Sequence, residues 1–304
     1  MILIAGGSGN LGTRVVRLLT ARGQAVRVLT RDSARGKHLA GELVEIVQGD
    51  VRDPRAVAQA VAGAQTVISA IQGFSGAGAD NPKTVDGQGN SNLIRAAQAG
   101  GAEHFILVSV HGAAPDHPLE LFRMKYQAEQ ELRASGLAWT IVRPTASMET
   151  WSTVIGAPLI ETGRTRLFGR GNNPINFVAA DDVAQFVALA AGDPALRGEL
   201  VEVGGPENLS LRQFAQVFET VTGRTGAKSH VPLPMMRLLA VLLRPVQPTI
   251  ARQIQAGVVM DTRDMTFDPA ETSRRYPAIP LTPLAEVVRR TYTPARERAA
   301  QAAS

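Results

Sequence analysis

The stretch Met1-Ile2-Leu3-Ile4-Ala5-Gly6-Gly7-Ser8-Gly9-Asn10-Leu11-Gly12-Thr13-Arg14-Val15-Val16-Arg17-Leu18-Leu19 decides the fold. A short apolar run, Ile2–Ala5, reads as a strand. The helical pattern after it places Leu11, Val15, Leu18 and Leu19 on one face. Gly23 stands where that helix needs a C-terminal cap. Between strand and helix, glycines at 6, 9 and 12 have the spacing G-x-x-G-x-x-G. They serve a tight turn, close approach of backbone to a pyrophosphate, and close packing of helix on strand. The helix N-terminus adds unpaired N–H groups and the positive end of its dipole. Gly6, Gly7, Ser8, Gly9, Asn10, Leu11 and Gly12 are therefore expected to form the phosphate-binding turn of a dinucleotide site. The strand–turn–helix context separates this turn from a glycine turn without a ligand.

Outward from that turn, short β-rich runs alternate with helical patterns. Strands are expected at Ala25–Thr30, Val44–Gln48, Thr66–Ala70, His104–Val110 and Trp139–Arg143, and helices near Leu11–Arg22, Pro54–Ala62, Pro82–Gly100 and Leu119–Ser135. Alternation of this kind implies βαβ crossovers and a parallel sheet covered on both faces. The fold class is α/β, a Rossmann-type doubly wound parallel sheet with a smaller C-terminal substrate-side lobe. After Pro144 the rhythm changes: a loop and short helix (Ala146–Ile155), a Gly- and Arg-rich turn region (Glu161–Asn173), Ile175–Val178, and a helix opening at Asp181. A strand at Leu200–Val203, a helix from Leu211 to Val221 and the Pro-rich Val231–Pro234 follow. We divide the chain into a Rossmann core (1–145), an interleaved substrate-side lobe with late core elements (146–293) and a frayed tail (294–304).

The end of the second strand bears on which dinucleotide is bound. A carboxylate there would accept hydrogen bonds from a ribose 2′-OH, whereas Leu29-Thr30-Arg31-Asp32 places Arg31 at the strand end. A guanidinium pairs a 2′-phosphate through two parallel hydrogen bonds, so NADP(H) is favoured over NAD(H). Asp32 is the counter-argument, since it could turn inward instead. Asp50-Val51 closes the third strand, on the adenine side, and Asp50 reads equally well as a cap before Asp53-Pro54. Ala70 and Ile71, at the end of the fourth strand, join the expected cofactor-binding set.

Together these residues resemble the atypical short-chain dehydrogenase/reductase superfamily, in its NmrA-like, NAD(P)H-binding branch. The glycine turn, Arg31 after Val28-Leu29-Thr30, Gly49-Asp50-Val51-Arg52-Asp53 and Ser109 carry the likeness. It continues from Lys125 through Glu129, Ser135-Gly136-Leu137, Trp139-Thr140-Ile141 and Arg143-Pro144 to Phe177-Val178 and Asp181-Asp182-Val183-Ala184, covering about residues 1 to 210. Typical members of the superfamily carry Tyr-x-x-x-Lys. Lys125 stands where that Lys belongs, but Leu121 holds the Tyr position. Tyr126 lies about 100° away around the helix and is a poor substitute.

The resemblance implies that Lys125 binds ribose hydroxyls and can donate a proton, and that Lys125 and Pro144 join the cofactor-binding set. Ser109 and His111 lie just past a strand's C-terminal end, where open α/β sheets bind ligands, and His111 is the alternative acid–base group. Lys125, Ser109 and His111 are thus the catalytic candidates, although an exposed loop histidine is an equally good description of His111. One of Asp181 and Asp182 reads as a helix N-cap. His111, Asp116 and His117 lack a recognised metal spacing, and no metal is expected. Met148, Trp151, Phe168 and Met235–Leu243 are expected to line an apolar pocket suited to a quinone, enone or aromatic carbonyl.

Composition narrows the classes. With no cysteine, disulfides and thiolate chemistry are excluded. Net charge is +5, mostly through arginine, but basic residues are scattered and aromatics scarce, so no nucleic acid is expected. The N-terminus reads as a strand and not a signal peptide, and a cytoplasmic location is expected. Met235–Leu243 falls short of a membrane span and reads as a helix on the core or over a pocket, with a membrane-surface helix as the alternative. A homodimer through exposed helices stays open. Three functions fit: an NADPH-dependent reductase of a small apolar acceptor, a non-catalytic NAD(P)H sensor or assembly scaffold, and, less well without the Tyr, a sugar-nucleotide epimerase or dehydratase.

Overall fold

β1 (Ile2–Ala5) is buried at all four positions, as a strand paired on both edges and covered on both faces must be. It pairs in parallel with β2 (Val26–Thr30) and with β4 (Thr66–Ser69). β2 continues to β3 (Val44–Gln48), and β4 to β5 (His104–Val108), β6 (Ala138–Pro144) and β7 (Glu199–Val203), every ladder parallel. The seven strands run in the order 7-6-5-4-1-2-3, so the order reverses between β1 and β4, beside the glycine turn. β3 is an edge strand: Glu45 is exposed on it and pairs with Arg27 of β2 at 2.8 Å.

The crossovers are helical. α1 (Asn10–Ala21) buries Gly12, Val15, Val16 and Leu19 and stops at Gly23, whose φ of +74° a side chain would oppose. α2 (Pro54–Val61) starts on Asp53, whose carboxylate accepts the Arg55 N–H, with Pro54 at the first helical position. The helix expected over 82–100 is two pieces, a π-helix at Lys83–Gly89 and then α3 (Asn90–Ala99). α4 (Glu120–Ala134) and α5 (Ala180–Gly192) complete the set. Leu3, Val67, Phe105 and Ile141 of the strands pack with Val57, Leu93, Ala97 and Leu132 of the helices in one buried cluster.

These elements come from a computed structural model that describes residues 1–292. The tail expected at 294–304 lies outside the described residues. The chain divides into two compact units: residues 1–144 with 183–203, which hold the seven-stranded sheet, and residues 145–182 with those from 204 on.

In the second unit, Ala146–Ser147, Ile175–Val178 and Asn208–Leu209 form a three-stranded sheet, and Arg164–Phe168 pairs in parallel with Ala227–Val231. The region expected as a turn over 161–173 thus contains a strand. Its helices include α6 (Leu211–Thr222), opened by a capping box between Ser210 and Gln213, α7 (Leu233–Leu242), α8 (Pro248–Thr262) and α9 (Leu284–Tyr292). In its core Phe214 packs tilted against Phe177 at 4.8 Å and stacks on Phe218 at 5.7 Å. Met148 belongs to that core and is 0% exposed, so it is packing rather than pocket lining. Trp151 meets Phe168 and Phe177 edge-on, at 6.0 and 6.4 Å.

The N-cap reading of Asp181 or Asp182 is corrected. The helix starts at Ala180, so both aspartates fall in its first turn. Asp182 is buried and accepts the backbone N–H and the hydroxyl of Thr282, each at 2.7 Å. Burial raises its pKa against those bonds.

Candidate functional site

The glycine turn can be read atom by atom. Gly6 has φ +84°, and a Cβ there would lie 2.6 Å from the Ala70 carbonyl oxygen. A Cβ on Gly7 would lie 2.8 Å from Val28, and one on Gly12 only 2.2 Å from the Gly6 oxygen. These three glycines are required by the turn and its packing. Gly9 is not: its nearest contact would be the Gly6 oxygen at 3.2 Å. Its bare backbone therefore suits close approach from outside. α1 has neither a side-chain cap nor an acidic residue in its first turn, so its leading N–H groups suit a diphosphate. Ser8 bonds the Thr30 hydroxyl at 2.8 Å, tying the turn to the end of β2. The residues present fit the phosphates of a dinucleotide.

Arg31 follows Thr30, and its guanidinium pairs with the Asp80 carboxylate. The other Asp80 oxygen lies 2.9 Å from Arg52. One carboxylate thus bridges two guanidiniums at the end of the second and third strands, as a phosphate would. Asp32 does not turn inward toward a ribose. Its side chain accepts the Ala34 N–H at 2.9 Å and caps the short helix Ser33–Gly36. Asp50 accepts the Arg52 N–H and Nε, both at 2.9 Å, plus a second guanidinium nitrogen, and Arg52 holds its carboxyl below the usual range. Asp50 is thus a turn cap and an anchor for Arg52. Val51 and Ile71 converge on Gly89, where a Cβ would sit 2.8 and 3.2 Å from them.

Lys125 is buried: its ammonium donates to the Ile71 and Val108 carbonyls at 2.8 and 3.0 Å and forms an ion pair at 3.0 Å with Asp86 Oδ1. Asp86 Oδ2 accepts the Gly73 N–H at 2.8 Å. Burial pushes the Asp86 carboxyl up while Lys125 pulls it down. Asn90 donates to the Asp86 carbonyl at 2.7 Å and accepts from Ser69 at 2.5 Å. Lys125 therefore ties the ends of β4 and β5 to the π-helix. Two of its ammonium N–H groups are thus spent on backbone carbonyls and its charge on Asp86, so the side chain serves the packing of these strand ends as well as any cofactor.

Ser109 and His111 lie at the two ends of a charged chain. Ser109, buried, donates to Glu129 of α4. Arg143 of β6 grips the same carboxylate with two bonds, 2.8 and 2.5 Å, and reaches Glu202 of β7 at 3.3 Å. Glu202 pairs with Nδ1 of His111, whose own backbone N–H donates to the Pro144 carbonyl at 2.8 Å. His111 and Arg143 lower the Glu202 pKa against the desolvation that raises it. Ser109 is engaged inside the network. The His111 side chain is 37% exposed, so of the three catalytic candidates it is the one that meets solvent. The His117 ring stacks on Phe122 at 3.9 Å, and its Nδ1 accepts the Leu119 N–H at 3.2 Å.

The sequence reading misses Asp80, Asp86 and Glu202. Asp80 lies in a Gly-rich loop without periodicity. A signal for the buried network is present in α4, where Leu121, Lys125, Ala128, Glu129 and Leu132 form the buried stripe: two opposite charges in an otherwise apolar face require buried partners.

A family model described as NAD(P)H-binding matches residues 6–194. The NAD(P)H azoreductase of Xenophilus azovorans is 30% identical over 225 residues, 74% of each chain. The photosystem II assembly factor Ycf39 of Synechocystis is 28% identical over 251 residues, 82% of this chain and 76% of that one. Among solved structures, the quinone oxidoreductase QOR2 of Escherichia coli, complexed with NADPH, superposes with a TM-score of 0.78 at 22% identity, covering 96% of this chain and all (100%) of the other. The Citrobacter triphenylmethane reductase, complexed with NADP(H), gives 0.77 at 19% identity, covering 95% and 99%. The chain belongs to the NAD(P)H-binding family.

Proposed function

We propose that the protein is an NADPH-dependent reductase of a small apolar acceptor such as a quinone, an enone, an aromatic carbonyl or an azo compound. NADPH, when bound, supplies the hydride. Gly9 and the N-terminus of α1 hold its diphosphate, and Arg31 with Arg52 takes the 2′-phosphate in exchange for Asp80. Lys125 keeps the ends of β4 and β5 in place below the nicotinamide ribose. The observation that carries the reductase reading is His111, a solvent-accessible imidazole at the C-terminal end of β5 with Glu202 on Nδ1. Such a carboxylate fixes the orientation of the ring, so His111 can pass the proton that accompanies hydride to the reduced acceptor. The azoreductase and quinone oxidoreductase relatives support this acceptor class.

A second reading, a non-catalytic NAD(P)H sensor or assembly scaffold, is favoured by one observation. Leu121 replaces the usual Tyr, while Ser109 and Lys125 are both engaged within the protein. The Ycf39 relatives, named as assembly factors, support it. The test is titration of the purified protein with NADPH and NADH by nucleotide fluorescence, followed by a panel of quinones, azo dyes and enones. Tighter binding of NADPH, with oxidation by an acceptor that falls roughly 100-fold in His111→Asn, is the expected result. Tight binding with no turnover across the panel moves the assignment to the sensor. Failure to bind either nucleotide sinks both.

A further inference from the structure

Among the described residues nine large apolar side chains are exposed, and six of them lie within sixteen positions of one another: Met235, Leu238, Val241, Leu242, Val246 and Ile250. Val241 and Val246 are 70% and 76% exposed. The cluster belongs to α7 and the turn into α8, all within the second unit. α7 is held the right way round by its other face. Met236 is buried, and it and Phe168 crowd Gly257 of α8, where a Cβ would come within 2.8 and 2.9 Å of them. The opposite stripe, Met235, Leu238, Val241 and Leu242, falls at i, i+3, i+6 and i+7. Scattered single hydrophobes need no explanation, but a contiguous stripe does.

Charge around the stripe is one-sided. Between Glu219 and Asp261 the chain has no Asp or Glu and five Lys or Arg residues. Lys228 is neutralised by Glu219 at 2.6 Å. Arg237 and Arg244 are exposed at the flanks of the stripe. No helix among the described residues is long and apolar enough to cross a membrane.

We propose that this face rests on an anionic lipid bilayer, with the α7 stripe at the acyl boundary and Arg237 and Arg244 among the headgroup phosphates. An apolar stripe flanked by arginine and cleared of carboxylates over one long segment is what an amphipathic interfacial helix needs. A neutral protein groove would complement the apolar side chains but would not select against every acidic residue from 220 to 260. The inference stands apart from the reductase reading, since neither Arg31, His111 nor the glycine turn enters it.

The test is flotation of the full chain with vesicles of equal parts phosphatidylglycerol and phosphatidylcholine, beside vesicles of phosphatidylcholine alone. The protein should float with the anionic vesicles, less so at high salt. Leu238→Asp with Val241→Asp should abolish binding, and Arg237→Gln with Arg244→Gln should weaken it roughly 30-fold. Leu43→Asp, a control at an exposed apolar residue in the first unit, should leave it unchanged. Melting curves matching the unaltered protein show that these surface changes leave the fold intact. No flotation, flotation indifferent to lipid charge, or flotation that survives Leu238→Asp with Val241→Asp overturns the proposal. So does a dimer in solution that Leu238→Asp dissociates while vesicles bind nothing.

Discussion

Asp80 holds Arg31 and Arg52 together as a phosphate's oxygens would, and an anion arriving at those guanidiniums must displace it. Asp80→Asn should therefore tighten NADPH binding, by roughly tenfold, and leave NADH unchanged, as nucleotide fluorescence would show. An equal change for both nucleotides would remove Asp80 from the discrimination. Lys125 gives the second prediction at this scale. Lys125→Met leaves the Asp86 carboxyl buried without its cation, and urea unfolding should show a loss of about 3–5 kcal/mol. Loss of turnover in such a variant would say little about catalysis. What is legible at single residues is what one residue does alone: a glycine that turns, an arginine that ends a strand. Partners are not legible, because Asp80 is 49 positions from Arg31 and Glu202 is 91 from His111.

Elements are most legible where an apolar run is bounded by turn residues. β3 and the strand Ile175–Val178 fall where expected. Arg164–Phe168 is hidden because its alternating arginines and neighbouring glycines look like loop. The π-helix at Lys83–Gly89 reads as part of an ordinary helix, since composition does not distinguish one hydrogen-bond ladder from the other. The turn between β1 and α1 yields a paired prediction. Gly12→Ala would drive a methyl into the Gly6 carbonyl and should cost about 1–3 kcal/mol of stability together with nucleotide binding. Gly9→Ala should melt within a few degrees of the unaltered protein yet lose most of its nucleotide affinity. Equal destabilisation of the two would mean that Gly9 serves packing alone.

For the whole molecule, stability should depend on pH through His104. Its Nε2 lies 2.9 Å from the Thr140 hydroxyl, which donates to the Leu196 carbonyl at 2.7 Å, so Nε2 carries the hydrogen and the ring is neutral. Burial lowers its pKa from 6.5 to about 4. The unfolded chain takes up a proton below 6.5 that the folded chain refuses, so this contribution is complete above 6.5 and is lost as pH falls toward 4. Melting temperature should drop across that window, and His104→Phe should flatten the drop. The carboxylates held low, Asp50 and Glu202, remain in the variant and isolate the histidine's share. Identical pH profiles for the two proteins would refute the assignment.

The fold class is legible in the βα rhythm of the first half, and the departure from that rhythm after Pro144 marks where the chain leaves the sheet. It returns at Val183 and leaves again after Val203. That excursion has a consequence during synthesis. The ribosome must deliver 38 residues of the second unit, Thr145 to Asp182, before the first can receive its last strand. Until β7 emerges, the ladder from Thr140 to Pro144 is an open edge, and neither Arg143 nor His111 has Glu202. A nascent chain arrested before residue 199 should therefore be a client for chaperones that shield strand edges, and the histidine pair can form only once translation has passed it.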